Sequence, residues 1–499
     1  MAAPDRFKGE IKVASRIVDY LSSGLYESPA ACLKELINNS YDADAKHVAV
    51  YVKPDADRII IEDDGTGMSK DEFIRHFERI SESHKRDESS KTPAGRPVIG
   101  KIGIGFIAAN EICDVMEIFS TKAGSRELLH VNINFDKMRQ DPASRRREGG
   151  DLAKADYDGE VLEADARESH YTHVFLKSIR GEARAIMAGA KRRGSHGEER
   201  SLYGLLPETF AERLADGQLK SWAEFDTYSQ TMLRVALNVP VRYHEAWIPE
   251  RLKEQVRDFE QATAKLGFSL SYDGSELRKP IVLRGTDRKS LISEFRFRGS
   301  SVSASGYFYA QHGVLKPQDL NGLLIRIRHA AVGGYDSSFM GFPSSEGTLF
   351  QKWISAEIWA DDRLEDALNI DRKTLRIAHP AYVELQEAVH DHLSKVIKTA
   401  RSKLYEKGSA VRKQEQAERV VESFETFASE QLAPIDKGMA RQVVAGWRRA
   451  QETGDIRSQL LRKFNVVELY EVVVDVARDL LKPAELAEFL KRLTKRIIG

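Results

Sequence analysis

The chain has 499 residues, of which 41% are hydrophobic and 30% are charged. This composition is ordinary for a soluble globular protein, and the length suffices for about three domains. The formal net charge is zero, from 76 basic and 76 acidic residues. The overall charge therefore gives no support to a dedicated nucleic-acid coat, and it leaves room for a local basic patch.

The cysteines and the lack of long apolar runs bear on the compartment. Cys32 and Cys113 lie in apolar surroundings outside any C-x-x-C pattern, so we expect buried, reduced thiols and no zinc site. The first residues contain no apolar signal core, and no apolar run approaches the roughly 18 residues of a membrane span. We therefore predict a cytoplasmic protein with no membrane partner.

The first 180 residues alternate between helical and strand patterns. Ile17, Leu21 and Leu25, and then Leu33 and Ile37, recur at helical spacing. We predict strands at 47–52, 58–62, 114–121, 128–135 and 172–177, a helix at 69–82, a polar loop at 83–98, a glycine-rich helix start at 99–113 and a charge-dense surface insertion at 138–168.

The remaining residues predict charged helices, then a second α/β block, then a helical end. The α/β block spans about 265–400, and residues 405–499 are almost entirely helical in pattern. Amphipathic segments at 414–430 and 465–495 suit self-association or partner binding, or simple packing onto the preceding block. Within the α/β block we predict strands at 306–309, 323–328 and 354–359 and a helix at 380–404.

A first polar motif interrupts an otherwise apolar helix. Glu35, Asn39 and Asp42 stand at i, i+4 and i+7, so one helix face carries two carboxylates and an amide. A carboxylate can accept a proton from attacking water, and an amide oxygen suits Mg²⁺. A solvated helix face explains this motif equally well when it is taken alone.

A second motif follows a strand directly. In Asp63-Asp-Gly65-Thr-Gly67-Met68, the glycines allow the backbone to approach a flat ligand closely. A carboxylate at the strand end can accept a hydrogen bond from the exocyclic amine of adenine. An ordinary Asp-Gly turn is the alternative.

The third motif is Gly100-Lys-Ile-Gly103-Ile-Gly105-Phe106, which leads into a helix. Free backbone N–H groups at a helix start can hold anions, although a flexible loop would also be rich in glycine. The motif is neither a Walker A loop nor a dinucleotide-binding fingerprint, because the required Gly-Lys-Ser/Thr and the following acidic residue are missing.

Together, the order and spacing of the three motifs resemble the GHKL superfamily of ATPases (gyrase, chaperone, histidine kinase and MutL). The segment Tyr-Thr172-His-Val-Phe-Leu is similar to the strand whose threonine completes the adenine site, with Tyr171 where the family usually has glycine. The Asn-x-x-Asp-Ala box with a base glutamate is similar to the hydrolysing branches and not to the kinases.

The resemblance implies a role for each matching residue. Glu35 would be the general base, Asn39 would ligate Mg²⁺, and Asp63 would bind the adenine amine with support from Thr172. Residues 83–98 would form the ATP lid, from which Lys85 would reach a phosphate or stay solvated. The further residues expected to bind ATP are Asp42, Gly65, Gly67, Met68, Gly100, Gly103, Gly105 and Phe106.

The segment Leu368-Asn-Ile-Asp-Arg372-Lys is similar to the middle domain of the ninety-kilodalton heat-shock chaperones. There an arginine at the place of Arg372 reaches the γ-phosphate, so the resemblance implies a catalytic role for it. The alternative is a surface salt bridge. The strand at 321–328 would be a transducer strand, with Arg326 and Arg328 on one face, directed to phosphate or to acidic side chains.

We therefore expect an α+β protein with four parts. A Bergerat-type ATPase sandwich would occupy 1–180, a charged helical linker 181–262, an α/β transducer domain 263–404 and a helical region 405–499.

The function implied by the resemblance is a conformational switch that binds ATP and Mg²⁺ and hydrolyses ATP slowly. It would be chaperone-like, close a lid, form an ATP-linked homodimer and act on an unknown client. A first alternative is a DNA-associated clamp of the MutL or MORC kind, in genome maintenance or anti-phage defence, supported by basic clusters at 145–147 and 191–193. A second alternative is a sensor without turnover, against which Glu35 and Asn39 argue.

Overall fold

In a computed structural model, the chain consists of two compact units, Met1–Tyr405 and Glu406–Gly499. The structure describes residues 28–52, 56–77, 91–100, 105–139, 157–189, 201–244, 247–248, 250–283, 290–343, 351–369, 372–406, 466–486, 488–489 and 492.

An eight-stranded sheet forms the amino-terminal half of the first unit, in the order β5-β4-β3-β6-β2-β1-β7-β8. All neighbouring strands are antiparallel except β1 and β7, which pair in parallel. Its strands are β1 His47–Tyr51, β2 Arg58–Asp63, β3 Cys113–Thr121, β4 Glu127–Asn134, β5 Tyr157–Glu163, β6 Tyr171–Ile179, β7 Ser269–Tyr272 and β8 Ser275–Glu276.

The strands of this sheet alternate between more and less buried side chains, as expected when helices cover one face of a sheet. In β2, Ile59, Ile61 and Asp63 are buried, whereas Ile60 and Glu62 are only half-buried. The helices of this region are α1 Pro29–Asp42, α2 Lys70–Phe77, α3 Phe135–Arg139, α4 Gly181–Met187, α5 Pro207–Ala215, α6 Thr227–Asn238 and α7 Glu250–Ala264, with 3-10 turns at Gly105–Glu111 and Trp222–Glu224.

A five-stranded sheet in the order β12-β11-β13-β10-β9 forms the other half of the first unit. The long helix α8 buries Leu385, Val389, Leu393 and Val396, at steps of three and four residues, against this sheet. The elements are β9 Ser290–Arg298, β10 Ser303–Gln311, β11 Gly322–Ile327, β12 Ala330–Asp336, β13 Ile354–Ala360 and α8 Pro380–Ala400, with 3-10 turns at Gln318–Leu320 and Asp362–Ala367 and a π-helical turn at Arg401–Glu406.

A buried polar network joins the second sheet to the chain that precedes it. Arg326 and Glu357 form an ion pair with side chains that are 0% exposed. The hydroxyls of Tyr243 and Tyr307 donate to Glu357 Oε2 at 2.7 and 3.0 Å, and Arg326 Nη1 donates to the Leu237 carbonyl at 2.9 Å. Since the members come from several elements, this network ties the end of α6 and the loop after it to β10, β11 and β13.

The hairpin between β11 and β12 turns through Arg328 and His329, which have φ values of 51° and 71°. Two residues with positive φ are typical of a tight hairpin turn, but non-glycine residues adopt this conformation at a cost. His329 is held in this turn by packing, and its Nδ1 lies 3.1 Å from Thr263 Oγ1.

His329 makes the stability of the fold sensitive to acid. Burial, with Lys279 and Arg326 nearby, lowers the pKa of His329 to about 4. Between pH 6.5 and pH 4 the unfolded chain therefore binds more protons at this site than the folded chain. We expect the free energy of unfolding to fall by about 2 kcal/mol from pH 7 to pH 5 through this group. Urea titrations at several pH values check this, and His329→Asn, which tolerates the turn, should remove that part of the pH dependence.

The second unit is described over one main helix, α9 Val466–Leu480. It carries apolar residues on one side, of which Val476 and Leu480 are 55% and 75% exposed. None of the helices in the described part of the chain is long and apolar enough to cross a membrane.

The structure confirms the predicted α+β class and most predicted strands, and it corrects the sequence-based elements in several places. The insertion predicted at 138–168 is wrong for 157–163, which is strand β5, and Gly105–Glu111 is a 3-10 turn. Sequence patterns did not predict β7, β8, β9 and β12. Both cysteines are buried, as predicted. The predicted domain boundaries stay predictions, although β7 and β8 belong to the first sheet and follow residue 263. The amphipathic segment at 414–430 lies outside the described residues.

Candidate functional site

Helix α1 carries the first motif. Pro29 starts the helix, where its missing N–H group costs nothing, and the apolar side buries Cys32, Leu33 and Ile37 completely. On the other side, Glu35 and Asp42 are half-buried and Asn39 is exposed. The helix therefore presents its polar groups along one accessible face.

The Glu35 carboxylate lies beside a buried cation. Lys34 Nζ is 3.5 Å from Glu35 Oε1, and the two side chains are 8% and 12% exposed. Burial lowers the pKa of Lys34, an effect that Glu35 opposes. A carboxylate in this position is shielded from bulk water while it faces the same side as Asn39.

Asp42 holds the start of the glycine-rich loop. Its Oδ1 and Oδ2 each accept a 2.8 Å hydrogen bond, from the backbone N–H groups of Ile99 and Gly100. From the other side, the Arg328 guanidinium donates to the Val98 carbonyl. The backbone at 98–100 is thus fixed by a carboxylate from α1 and by a cation from the second sheet.

Asp63 closes the end of β2 with a buried carboxylate that is 7% exposed. Ser40 Oγ donates to its Oδ2 at 2.6 Å, and the Gly65 N–H donates to its Oδ1 at 2.9 Å. Burial raises the pKa of Asp63, and these two hydrogen bonds act in the opposite direction. Each oxygen retains a lone pair that could accept a further donor such as an amine.

Gly65 and Gly67 are required by the space around them. A Cβ on Gly65 would meet the Ala43 carbonyl oxygen at 2.8 Å. Gly67 has a φ of 69°, and its Cβ would lie 1.8 Å from the Thr121 carbonyl oxygen. Met68 follows, and its N–H donates to Ser120 Oγ at 2.8 Å. The loop after β2 therefore packs tightly against the end of β3.

Thr172 lies next to Asp63 in the sheet. The two residues are direct partners in the β2–β6 register, and Thr172 Oγ1 is 2.9 Å from Ser120 Oγ. The structure thus brings Asp63, Thr172, Gly65 and Gly67 together at one end of the sheet.

The carboxyl-terminal part of the predicted lid is anchored to the body of the protein. Arg96 is 7% exposed and donates to the carbonyls of Ala45 and Gly267 at 2.6 and 3.1 Å. Phe106, in the 3-10 turn after the loop, is buried. Lys85 and Gly103 lie outside the described residues.

Arg372 lies near α1. It lines a cavity of about 10 Å³ together with Lys34 and Asn38 of that helix, and its Nη2 is 3.9 Å from Glu365 Oε1. Its φ of 52° is unusual for arginine. Arg326 and Arg328 were predicted to face either phosphate or acidic side chains. Arg326 pairs with buried Glu357, and Arg328 pairs with Asp362 and Glu365.

Sequence reasoning missed the residues that support the site. Ser40 and Ser120 orient Asp63, Met68 and Thr172, while Arg96 and Arg328 fix the loop segments beside α1. Ser40 could have been found, because it stands next to Asn39 on a helix. Arg96 and Arg328 act over long sequence separations and carry no local signal.

Comparison with known proteins identifies the family of this region. Residues 26–149 match the family model described as histidine kinase-, DNA gyrase B-, and HSP90-like ATPase. The chain carries a GHKL-family ATPase domain. The matched residues of the GHKL domain include both sides of the site formed by α1 and β2.

Several curated proteins are similar to about a quarter of the chain. A putative type II restriction enzyme, HgiDII, of Herpetosiphon aurantiacus is 36% identical over 115 residues, covering 23% of this chain and 18% of that protein. The chaperone protein HtpG of Bacillus subtilis (strain 168) is 32% identical over 147 residues, covering 25% and 23%. The mitochondrial heat shock protein 75 kDa of Bos taurus is 27% identical over 146 residues, covering 26% and 20%. The chain thus aligns with less than a quarter of the length of these relatives.

The residues of the GHKL domain fit ATP and a magnesium ion. The buried Asp63 carboxylate has remaining acceptor capacity, the glycine turn leaves no side chain in the way, and Asn39 offers an exposed amide oxygen beside Glu35. No group of three or more His, Cys, Asp or Glu side chains in the described ranges could hold a metal by itself. Mg²⁺ usually takes one or two protein ligands and completes its shell with phosphates and water, so a lone amide suffices.

Proposed function

We propose that the protein is a slow ATP hydrolase in which the state of the nucleotide sets the conformation of the chain. The observation that carries the proposal is the buried Asp63 carboxylate, held by Ser40 and Gly65 directly opposite Thr172. This end of the sheet lies beside the polar face of α1, where Glu35 and Asn39 stand one turn apart. The match to GHKL ATPases supports the same reading.

In the proposed reaction, the oxygen of the attacking water bonds to the γ-phosphorus while the Glu35 carboxylate accepts a proton from that water. The bond from the γ-phosphorus to the bridging oxygen breaks, and the products are ADP and inorganic phosphate. Asn39 would ligate Mg²⁺, which neutralises phosphate charge when bound. Asp63 would accept from the adenine amine, and Thr172 would keep that carboxylate oriented.

We propose that Arg372 links the nucleotide to the second sheet. Its position supports this, because it lines a small cavity together with Lys34 and Asn38 of α1, the helix that also carries Glu35 and Asn39. Such a cation stabilises charge on the transferring phosphoryl group. Lid closure and ATP-linked homodimerisation would complete the cycle.

The chaperone branch of the family is the one we favour for the biological role. The relatives named chaperone protein HtpG and heat shock protein 75 kDa support a chaperone-like ATPase that acts on a client protein.

The adenine assignment is tested with Asp63→Asn. We expect ATP affinity to fall by roughly 10- to 100-fold, because a hydrogen bond to a charged acceptor contributes about 1.5–3 kcal/mol. Calorimetric titration with ATP and Mg²⁺ measures it, and Asp165→Asn, at an exposed position of the same domain, is the matched control. Unchanged affinity in Asp63→Asn would remove Asp63 from the nucleotide site.

A DNA-associated clamp is the second candidate, favoured by the similarity to the putative type II restriction enzyme HgiDII. The basic clusters at 145–147 and 191–193 lie outside the described residues. Steady-state hydrolysis with and without duplex DNA, over a salt series, separates the candidates. Stimulation at low salt that disappears at high salt supports the clamp. A rate of ATP hydrolysis that is the same with and without DNA supports the chaperone-like function.

A further inference from the structure

A groove of about 360 Å³ lies on the face of the first sheet opposite α1. Its lining comes from β1, β2, β6, β7 and β8 and from the residues that precede β6. Glu62 and Asp63 are consecutive on β2, so their side chains point to opposite faces of the sheet. Asp63 also lines the groove, but its carboxylate is held on the α1 side by Ser40 and Gly65, so the groove adjoins the proposed nucleotide site from the opposite face of the sheet.

The strand register explains why the surface is concave here. Reading across β8, β7, β1, β2 and β6, directly opposed residues form one row on the same face. Two adjacent residues of the row, Ser271 and Ala49, are small, and longer side chains stand on either side of them. The row is Glu276, Ser271, Ala49, Glu62 and His173. At about 4.8 Å per strand, the two glutamates are separated by roughly 14 Å across a floor of small residues.

The charge of the groove is one-sided. Its described lining contains four acidic residues, Glu62, Asp63, Asp64 and Glu276, together with three histidines and neither lysine nor arginine. Asp64 Oδ1 is engaged by the backbone N–H groups of Lys46 and His47, and Glu276 pairs with Arg278 at 2.7 Å. Glu62, which stands between Ala49 and His173 in the row, is therefore the carboxylate best placed to receive a cation from outside.

An aromatic stack stands beside Glu62. The rings of Tyr171 and His173 are stacked with centroids 4.4 Å apart, and His173 is the direct cross-strand partner of Glu62. A guanidinium group is planar, bonds a carboxylate with two parallel N–H groups and stacks on aromatic faces, whereas an ammonium group does neither as well. Phosphates and other anions are disfavoured by the acidic residues of the lining.

We propose that this groove binds an arginine side chain presented by a peptide segment of a partner protein. Glu62 receives the guanidinium, the Tyr171–His173 stack covers one face of it, and Ala49 and Ser271 leave the space it fills. The groove opens to solvent, so the peptide backbone can remain outside.

The test uses the full chain without nucleotide, so that its result is independent of the proposed ATPase activity. A fluorescently labelled peptide, Gly-Ser-Arg-Gly-Arg-Gly-Ser, is titrated by anisotropy beside twins that carry lysine or citrulline in place of arginine. We expect the arginine peptide to bind and the citrulline twin to lose at least about tenfold in affinity, with the lysine twin in between.

Two substitutions locate the binding. Glu62→Gln removes the charge at nearly constant shape and should weaken the arginine peptide by about tenfold or more. Ala49→Lys raises the floor and places an ammonium group opposite Glu62, and it should have at least the same effect. The matched control is Glu160→Gln, on the same sheet face but at edge strand β5, which should bind like the wild type. Equal binding of the three peptides, or wild-type affinity in both groove variants, overturns the proposal.

Discussion

Replacing Glu35 with alanine should reduce the rate of ATP hydrolysis by roughly 100- to 10,000-fold while ATP binding is largely retained. The reason is that a positioned general base contributes about this factor to the chemical step and little to the affinity for substrate. Glu35 suits this role because its carboxylate is half-buried beside Lys34 on the face that also carries Asn39. Phosphate release in the steady state and calorimetric titration with ATP measure the two quantities separately.

Two further variants sharpen this test. Glu35→Gln keeps the shape of the side chain and removes the base, so it should match Glu35→Ala in rate. Glu208→Gln changes an exposed carboxylate in the first turn of α5 and should hydrolyse ATP like the wild type. If Glu35→Ala loses ATP binding as strongly as hydrolysis, the residue supports the site and is not the base.

The local parts of this site were accessible to sequence reasoning because each rests on a short-range rule. The spacing of Glu35, Asn39 and Asp42 fixes them to one helix face, whatever the helix packs against. Gly67 illustrates the same point, since its positive φ and its closeness to Thr121 both demand glycine. The glycine motif in the sequence corresponds in the structure to positions at which a Cβ atom would collide with the neighbouring backbone.

The remaining parts depend on contacts between distant segments. Asp42 is predicted to contact nucleotide, and the structure adds a role that its spacing did not indicate, since its carboxylate accepts hydrogen bonds from the N–H groups of Ile99 and Gly100. Strand β7 pairs with β1, which lies more than 200 residues earlier in the chain. The four residues of β7 carry no local pattern that predicts this partner. The proposed arginine groove has the same origin, because its row of residues exists only once the strand register is known.

The buried ion pair illustrates how a polar sequence can hide a structural role. The alternation of Arg326 and Arg328 in the sequence predicted one strand face directed to phosphate or to acids. In the structure Arg326 lies on β11 and Arg328 in the turn that follows it, and both pair with acidic side chains. Arg326 cannot act on a nucleotide, since its side chain is fully buried. Its guanidinium instead links the second sheet to the end of α6, through the ion pair with Glu357 and the hydrogen bond to the Leu237 carbonyl.

We expect Glu357→Ala to lower the free energy of unfolding of the first unit by about 3–5 kcal/mol, the usual result of removing one partner from a buried ion pair. The loss leaves the Arg326 guanidinium without its counter-charge and takes the acceptor away from the hydroxyls of Tyr243 and Tyr307. Urea unfolding followed by tryptophan fluorescence and circular dichroism measures the change, because Trp359 lies two residues beyond Glu357 on β13.

The matched control for this pair is found on the same sheet. Glu294 and Arg296 form an exposed ion pair on β9, with side chains that are 53% and 74% exposed, so Glu294→Ala should change the free energy of unfolding by less than about 1 kcal/mol. The double variant Arg326→Met with Glu357→Leu should recover much of the loss, since a buried pair can be replaced by apolar groups of similar volume. A loss in Glu357→Ala no larger than that in Glu294→Ala would mean that packing, and not the buried charges, holds the second sheet in place.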